Sequence, residues 1–381
     1  MSDLVAPSGA VHWVGTGLST GSGLRLLCDG TSSVTLWGRT EEKAARCLAG
    51  LGLADRATAR AFGLDALADA VAPGDVVVSM LPATQHAAVV RLCLAGQAHF
   101  ACSSYTSDEL ATAGPAAAAA GLVLLTEAGL DPGIDHILAH SLVNAARVEL
   151  GEGPAKVWFT SYCGGVPAVP NEFRYRFSWA PRGVLTALCS PARSIESGQI
   201  RDVRYPWEAT RSHELDGETF EVYPNRDSVP FLRQYHLPEA WQPHTFVRGT
   251  LRLDGWREAW TEVFDVLRGG DPGQIDTLAA DLLSRYAMGP HDRDRVVLAV
   301  DLTVVGDGGA RWSGRYLLDL VGDAEETAMA RSVSLPLAHA VLEIVAGATP
   351  PGLHRALPDP AGAETFIAAI RGYGLDCVLT R

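Results

Sequence analysis

Arg174, Arg176 and Arg182 fall within nine residues and are interleaved with Phe173, Tyr175, Phe177 and Trp179. A guanidinium fork matches a carboxylate with two parallel hydrogen bonds, so this pattern could wall a pocket for a substrate rich in carboxylates. Alternation at period two puts the arginines on one strand face and the rings on the other. It equally describes an ordinary antiparallel strand, apolar inward and basic outward.

A second pattern suits phosphate. Gly15-Thr16-Gly17-Leu18-Ser19-Thr20-Gly21-Ser22-Gly23 follows a short apolar run and precedes Leu24-Arg25-Leu26-Leu27. A glycine turn between a strand and a helix lets the backbone approach a dinucleotide pyrophosphate, which then meets free N–H groups and the helix dipole. Gly15 and Gly17 fit G-x-G, while Thr20 stands where the third glycine of the usual fingerprint falls. About 20 residues on, NAD enzymes carry an acid for the ribose hydroxyls. This chain has Arg39 and Thr40 there. An acid repels a 2′-phosphate and an arginine pairs with it, so the pattern favours NADP(H) over NAD(H). Arg39 capping a strand in solvent is the plain alternative.

Alternating strands and helices must position these groups. Strands are predicted over 11–14, 34–37, 75–81, 99–102 and 122–126, with helices over 41–51, 87–95 and 110–120. In an open α/β sheet the ligand lies beyond the carboxyl ends of the strands. The loops there hold Pro82 to His86, Ser103 to Tyr105 and Gly129 to Gly133. After 133 the strands look antiparallel: 155–162, 173–179, 198–205 and 218–223; 245–255 is a further strand, followed by a hairpin of 296–305 with 312–321. Helices are expected over 134–149, 181–188, 258–267, 274–286, from 292 onward, 328–345 and 361–373. The fold class is α/β: a Rossmann-type doubly wound parallel sheet, followed by a mixed α+β substrate domain with added helices. The expected division is 1–133 for the NADP-binding domain, 134–335 for the substrate-binding and dimerisation domain, and 336–381 for C-terminal helices packing back on the earlier domains.

Composition narrows the function. The chain has 381 residues, 47% hydrophobic and 20% charged, with net charge −13. That balance excludes broad nucleic-acid or anionic-membrane binding, which needs a basic face. The seven cysteines are scattered without a CxxC pair, which points to a reducing cytosol and no disulfide framework or metal site. No signal peptide and no apolar run of about 18 residues are read, so no membrane span is expected.

Six stretches carry a family resemblance: Gly38-Arg39-Thr40; 130–136, LDPGIDH; 161–167, SYCGGVP; Phe177-Ser178-Trp179 with Arg182-Gly183-Val184-Leu185; 223–228, YPNRDS; and 248–252, RGTLR. On these the chain resembles the saccharopine reductases, the glutamate-forming, NADP-dependent saccharopine dehydrogenases of the fungal lysine route. Three departures are the glycine turn, the shorter segment 168–172 and a chain shorter than the fungal relatives. The resemblance implies an NADP-dependent oxidoreductase acting on the CH–NH bond of a saccharopine-like secondary amine. The reaction is reductive condensation of an amino-acid semialdehyde with glutamate, or its reverse. It further implies a small anionic amino-acid substrate, a cytoplasmic setting and a homodimer.

The glycine turn and the Arg39-Thr40 pair give Gly15, Gly17, Leu18, Ser19, Arg39 and Thr40 to the cofactor. The resemblance implies the remaining roles: Gly38, Leu81, Ser104, Leu130, Pro132 and Ser178 also hold the cofactor. Ser104, Tyr105, Asp131, Arg226, Arg248, Gly249 and Thr250 meet the substrate, and Asp131, Tyr105 and Cys163 lie at the reacting centre. Saccharopine carries three carboxylates, and forming it means reducing an imine by hydride. Arginine anchors and a proton donor near nitrogen suit that chemistry. Helix capping for Asp131, core packing for Tyr105 and inert burial for Cys163 remain open, as do roles for His86 and His136. A carboxyspermidine-type or other opine dehydrogenase is the alternative enzyme. A non-catalytic NADP-binding regulatory protein is the alternative of another class.

Overall fold

The computed structural model describes residues 3–178, 181–289 and 291–381. The chain forms two compact units, Met1–Ile137 with Ala330–Gly374, and Leu138–Met329 with Leu375–Arg381.

The first unit alternates strand and helix: β1 (Ala10–Val14), α1 (Gly23–Gly30), β2 (Ser33–Gly38), α2 (Glu41–Gly50), β3 (Thr58–Ala61), α3 (Leu64–Ala70), β4 (Val76–Ser79), α4 (His86–Gly96), β5 (His99–Cys102), α5 (Asp108–Ala119) and β6 (Val123–Thr126). All residues of β4, β5 and β6 are buried, as expected of central parallel strands covered on both faces. Among the described residues the sheet has seven parallel strands, in the order β6-β5-β4-β1-β2-β3 with Gly352–Arg355 outside β6. The order reverses between β1 and β4, the switch point where a doubly wound sheet opens a crevice for ligand. Thr40 caps α2 by accepting from Lys43 N at 3.2 Å, and Ser107 caps α5 by accepting from Leu110 N at 3.3 Å. Such caps are each worth about 1 kcal/mol.

The second unit is built on a mixed sheet of β7 (Ala155–Pro167), β8 (Ala192–Glu196), β9 (Gln199–Val203), β10 (Arg211–Leu215), β11 (Glu218–Pro224), β12 (Trp241–Leu253), β13 (Asp294–Gly306) and β14 (Arg311–Val321). The main path is β10-β11-β12-β7-β13-β14, closed by Val378–Thr380. The strands were expected to be antiparallel, but β12 pairs with β7 in parallel. The long excursion between them, holding two hairpins and helices, is the crossover that parallel pairing needs.

Three further expectations are corrected. Residues 173–178 form no strand. Arg174 takes φ +56°, and Asn171 clamps the turn by accepting from Tyr175 N at 3.1 Å and donating to Tyr175 O at 3.0 Å. Trp179 lies outside the described residues. Past Asp292 the chain enters β13 rather than a helix, because Val296, Val297, Val300 and Val304 favour a pleated, half-buried surface. Finally, the helix Ala328–Val345 is long and apolar enough to cross a membrane, with mean hydropathy 1.3, contrary to the reading that no such run exists. Since 61% of it is buried inside the protein, it has the character of a core helix.

Candidate functional site

In the first unit the strand ends form a continuous lip. β1 runs into Gly15, whose φ is +131° and whose added Cβ would lie 2.9 Å from Met80 Cβ, so only glycine fits. The Ser103 hydroxyl lies 3.9 Å from Met80 Sδ, and a Cβ on Gly129 would lie 2.9 Å from Ser103 Cβ. The ends of β1, β4, β5 and β6 thus meet side by side.

Thr20 closes the turn itself. Its hydroxyl donates to Gly15 O at 3.2 Å, and its N–H donates to Gly17 O at 3.0 Å. Above Gly17 there is open space, with nothing within 4 Å of an added Cβ, and Leu18 is 55% exposed. Ser19 is half-buried beside it. The helix-packing glycine of this turn is Gly23, which the sequence reading did not single out. Its N–H donates to Ser334 Oγ at 3.0 Å, and a Cβ there would sit 2.1 Å from Ser334 O. Gly38 is buried under the start of α2, while Arg39 and Thr40 are exposed at the end of β2. Arg39 makes no hydrogen bond or ion pair among the described residues. A pyrophosphate over the glycine turn and a phosphate beside Arg39 therefore fit the donors that are present.

Tyr105 and Asp131, 26 positions apart, are brought together: the Tyr105 hydroxyl donates to Asp131 Oδ1 at 2.8 Å. Both are half-buried, as are Ser104 and Leu81, whereas Leu130 and Pro132 are buried. The loop holding Asp131 is tightly tied. Gly129 N donates to Pro132 O at 2.9 Å, Ile134 N to Gly129 O at 2.9 Å, and Gly133 N to Asp135 Oδ1 at 2.7 Å. The Asp131–Pro132 peptide is cis.

Behind this loop lies a buried polar cluster that the sequence reading missed. Glu127 is 2% exposed with φ +58°, and its Oε1 accepts from Thr106 N at 3.1 Å and Thr106 Oγ1 at 2.8 Å. His136, fully buried, stands 3.2 Å from Glu127 Oε2 and 3.3 Å from Asp135 Oδ2. An acid just past an apolar strand, followed by Asp and His eight and nine positions on, was the available signal. The other flagged histidine, His86, is 1% exposed, and burial lowers its pKa to about 4.

In the second unit, register aligns the flagged residues on β7 and β12: Arg248 with Ser161, Gly249 with Tyr162, and Thr250 with Cys163. Cys163 is 8% exposed. Arg248 is 3% exposed, and its guanidinium lies 4.0 Å from the Phe231 ring centroid, a cation–π contact. Arg226, exposed and with φ +57°, sits in the turn after β11. That turn is stitched to β12, as Asn225 N donates to Arg248 O at 2.9 Å and Arg248 N to Ser228 Oγ at 2.9 Å. Ser178 is buried, and its Oγ has no partner among the described residues.

Arg174, Arg176 and Arg182 do not wall a pocket as one strand face. Arg176 lies 3.3 Å from Asp292 and donates to Ala287 O at 3.1 Å, while Arg182 pairs with Asp276 at 2.9 Å. Their neighbours Phe173, Tyr175 and Phe177 enter a core with Trp207, Trp256 and Trp260. No group of His, Cys, Asp and Glu suited to a metal occurs among the described residues.

A family model of the saccharopine dehydrogenase NADP binding domain matches residues 11–125, and one of the saccharopine dehydrogenase C-terminal domain matches residues 129–375. Saccharopine dehydrogenase [NADP(+), L-glutamate-forming] of Pyricularia oryzae is 36% identical over 266 residues, covering 68% of this chain and 57% of its own length. The enzyme of the same name from Schizosaccharomyces pombe is 35% identical over 267 residues, covering 67% and 56%. The chain thus spans just over half the length of these relatives. The solved apo saccharopine dehydrogenase (L-Glu forming) from Saccharomyces cerevisiae superposes with a TM-score of 0.81 at 25% identity, covering 98% of this chain and 99% of that one. With both parts of the chain matched in order, the chain belongs to the saccharopine dehydrogenase family.

Proposed function

We propose that this protein is an NADP(H)-dependent oxidoreductase acting on the CH–NH bond of a saccharopine-like amine, which joins an amino-acid semialdehyde to glutamate or runs the reverse oxidation. The observation that carries the reading is the 2.8 Å Tyr105–Asp131 pair, set on the same lip of strand ends as the glycine turn. The names and coverage of the relatives support the substrate class.

Residues 1–133 are assigned to the cofactor and 134–335 to the substrate. Gly15, Gly17, Leu18 and Ser19 cradle the pyrophosphate, and Arg39 with Thr40 takes the 2′-phosphate. Gly38, Leu81, Ser104, Leu130, Pro132 and Ser178 complete that site. When bound, NADP(H) supplies or accepts the hydride. The chain's own residues do the rest. Asp131, hydrogen-bonded to Tyr105, holds and moves the proton at the amine nitrogen, directly or through water. Ser104 orients the substrate beside it. Arg226 and the segment Arg248-Gly249-Thr250 hold carboxylates, which fixes the reacting carbon. Cys163, opposite Thr250 in the sheet, borders the substrate. Seven scattered cysteines without a CxxC pair support a reducing, cytosolic setting.

Absorbance of NADPH tests the reading. With a panel of semialdehydes and amino acids, turnover should require both partners and be fastest with glutamate. Turnover confined to diamine partners would favour the carboxyspermidine-type alternative. NADPH binding without any turnover would favour the regulatory one.

A further inference from the structure

We propose that His86 is a positioning residue that fixes the Ser104 hydroxyl toward the bound cofactor and substrate. The proposal rests on the reading that Ser104 faces those ligands.

His86 begins α4, two loops away in sequence from Ser104, and is almost wholly buried. Its Nε2 lies 2.9 Å from Ser104 Oγ and its Nδ1 2.9 Å from Ser79 Oγ. Ser79, the last residue of β4, is itself 1% exposed. The three side chains therefore form a closed line, Ser79–His86–Ser104, that runs from the sheet interior to the lip.

The backbone around Ser104 is already fixed. Ser104 O accepts from Glu127 N at 3.0 Å, and Thr106 N donates to Glu127 Oε1 at 3.1 Å. What remains free is rotation of the Ser104 side chain, and the bond to His86 removes that freedom. Burial keeps the imidazole neutral near pH 7, so one ring nitrogen donates and the other accepts. A serine can answer either role, so both serines are satisfied in either tautomer. Packing alone does not call for a polar ring here. The imidazole stands edge-on to Phe100 at 5.9 Å between centroids, and an apolar ring would fill that space without the cost of desolvating two nitrogens.

The test is a double-mutant cycle between His86→Phe and Ser104→Ala. Phenylalanine keeps the ring packed on Phe100 and removes both hydrogen bonds. NADPH affinity, kcat, KM and melting temperature are measured on the same samples. His86→Phe should lower kcat/KM by about five- to tenfold, the size of one lost hydrogen bond, and should cost nothing further in the Ser104→Ala background. His86→Gln, whose amide reaches toward the Nε2 position, should restore most of the loss, and it keeps the test decisive if the phenylalanine variant folds poorly. Equal losses from His86→Phe with and without Ser104, or a fall in melting temperature with unchanged kcat/KM, would overturn the positioning role. So would failure of the glutamine variant to recover activity while folded. A wild-type chain that binds no NADPH would overturn the functional reading, and this role with it.

Discussion

The Tyr105 hydroxyl donates a 2.8 Å hydrogen bond to Asp131 Oδ1, joining the end of β5 to the loop after β6. The two carriers are held from behind by one carboxylate. Glu127 binds the backbone of Thr106, next to Tyr105, and faces His136, five residues beyond Asp131. A shift of either loop would break this pair, so its geometry is set by buried groups rather than by ligand.

Removing the pair's chemistry should slow the reaction and spare the cofactor. Asp131→Asn should lower kcat by about 100-fold or more, the usual range for a general acid or base, and Tyr105→Phe by about 10-fold. NADPH affinity should change less than about twofold. Pre-steady-state kinetics with a fluorescence titration would check this. A common loss in affinity and rate would point to collapse of the loop instead.

Cofactor choice should rest on Arg39. Losing a charge-assisted phosphate contact costs about 1.5–3 kcal/mol, so Arg39→Ala should weaken NADPH by roughly 10- to 100-fold and leave NADH nearly unchanged. Arg39 is exposed at the end of β2, so the melting temperature should hold. Equal loss for both cofactors would contradict the assignment.

The substrate anchors should show in KM. Arg226→Ala should raise KM for the dicarboxylic substrate strongly, with NADPH affinity intact, and Arg226→Lys should recover only part because it lacks the planar fork. Arg248 is 3% exposed and stacked on Phe231, so Arg248→Ala should also cost stability. Steady-state kinetics beside melting curves separates these effects. Wild-type kinetics in folded Arg226→Ala would return that arginine to the surface.

Acid should destabilise the fold through its buried and half-buried histidines. Burial holds the His86 pKa at about 4 and lowers those of His99, His213, His339 and His354. The unfolded chain therefore binds protons near pH 6.5 that the folded chain refuses. Stability should be level above about pH 7 and fall as pH drops through 6.5 toward 4. His86 alone should account for about 2 kcal/mol lost by pH 5. Urea unfolding at both pH values should show His86→Phe losing less than wild type by about that amount. Identical losses would mean that His86 is protonated in the folded protein.

The order of elements in the first unit was legible because β4, β5 and β6 are buried on both faces and so read as largely apolar runs. The edge strands were not. Thr58–Ala61 is largely exposed, and Gly352–Arg355 ends in His354 and Arg355 and is only partly buried, so neither carries an apolar run. The parallel pairing of β7 with β12 was hidden for another reason, since register across a long excursion leaves no mark on either strand. Arg174, Arg176 and Arg182 show the limit of periodicity. It correctly separated rings from charges, but it could not show that Asn171 turns the backbone there or that Asp292 and Asp276 take up two of the guanidiniums. The Glu127–His136–Asp135 cluster was hidden because a buried carboxylate looks like a solvated one until its surroundings are seen.

Isotope transfer tests the central claim most directly. NADPH carrying deuterium on one or the other face of its nicotinamide is supplied with glutamate and the six-carbon semialdehyde, and the product is read by mass spectrometry and NMR. One of the two labels should deliver a single deuterium to the former aldehyde carbon, now bonded to the glutamate nitrogen, and the other should deliver none. A condensed product free of deuterium from both labels, or no condensed product from a chain that binds NADPH, would contradict the claim.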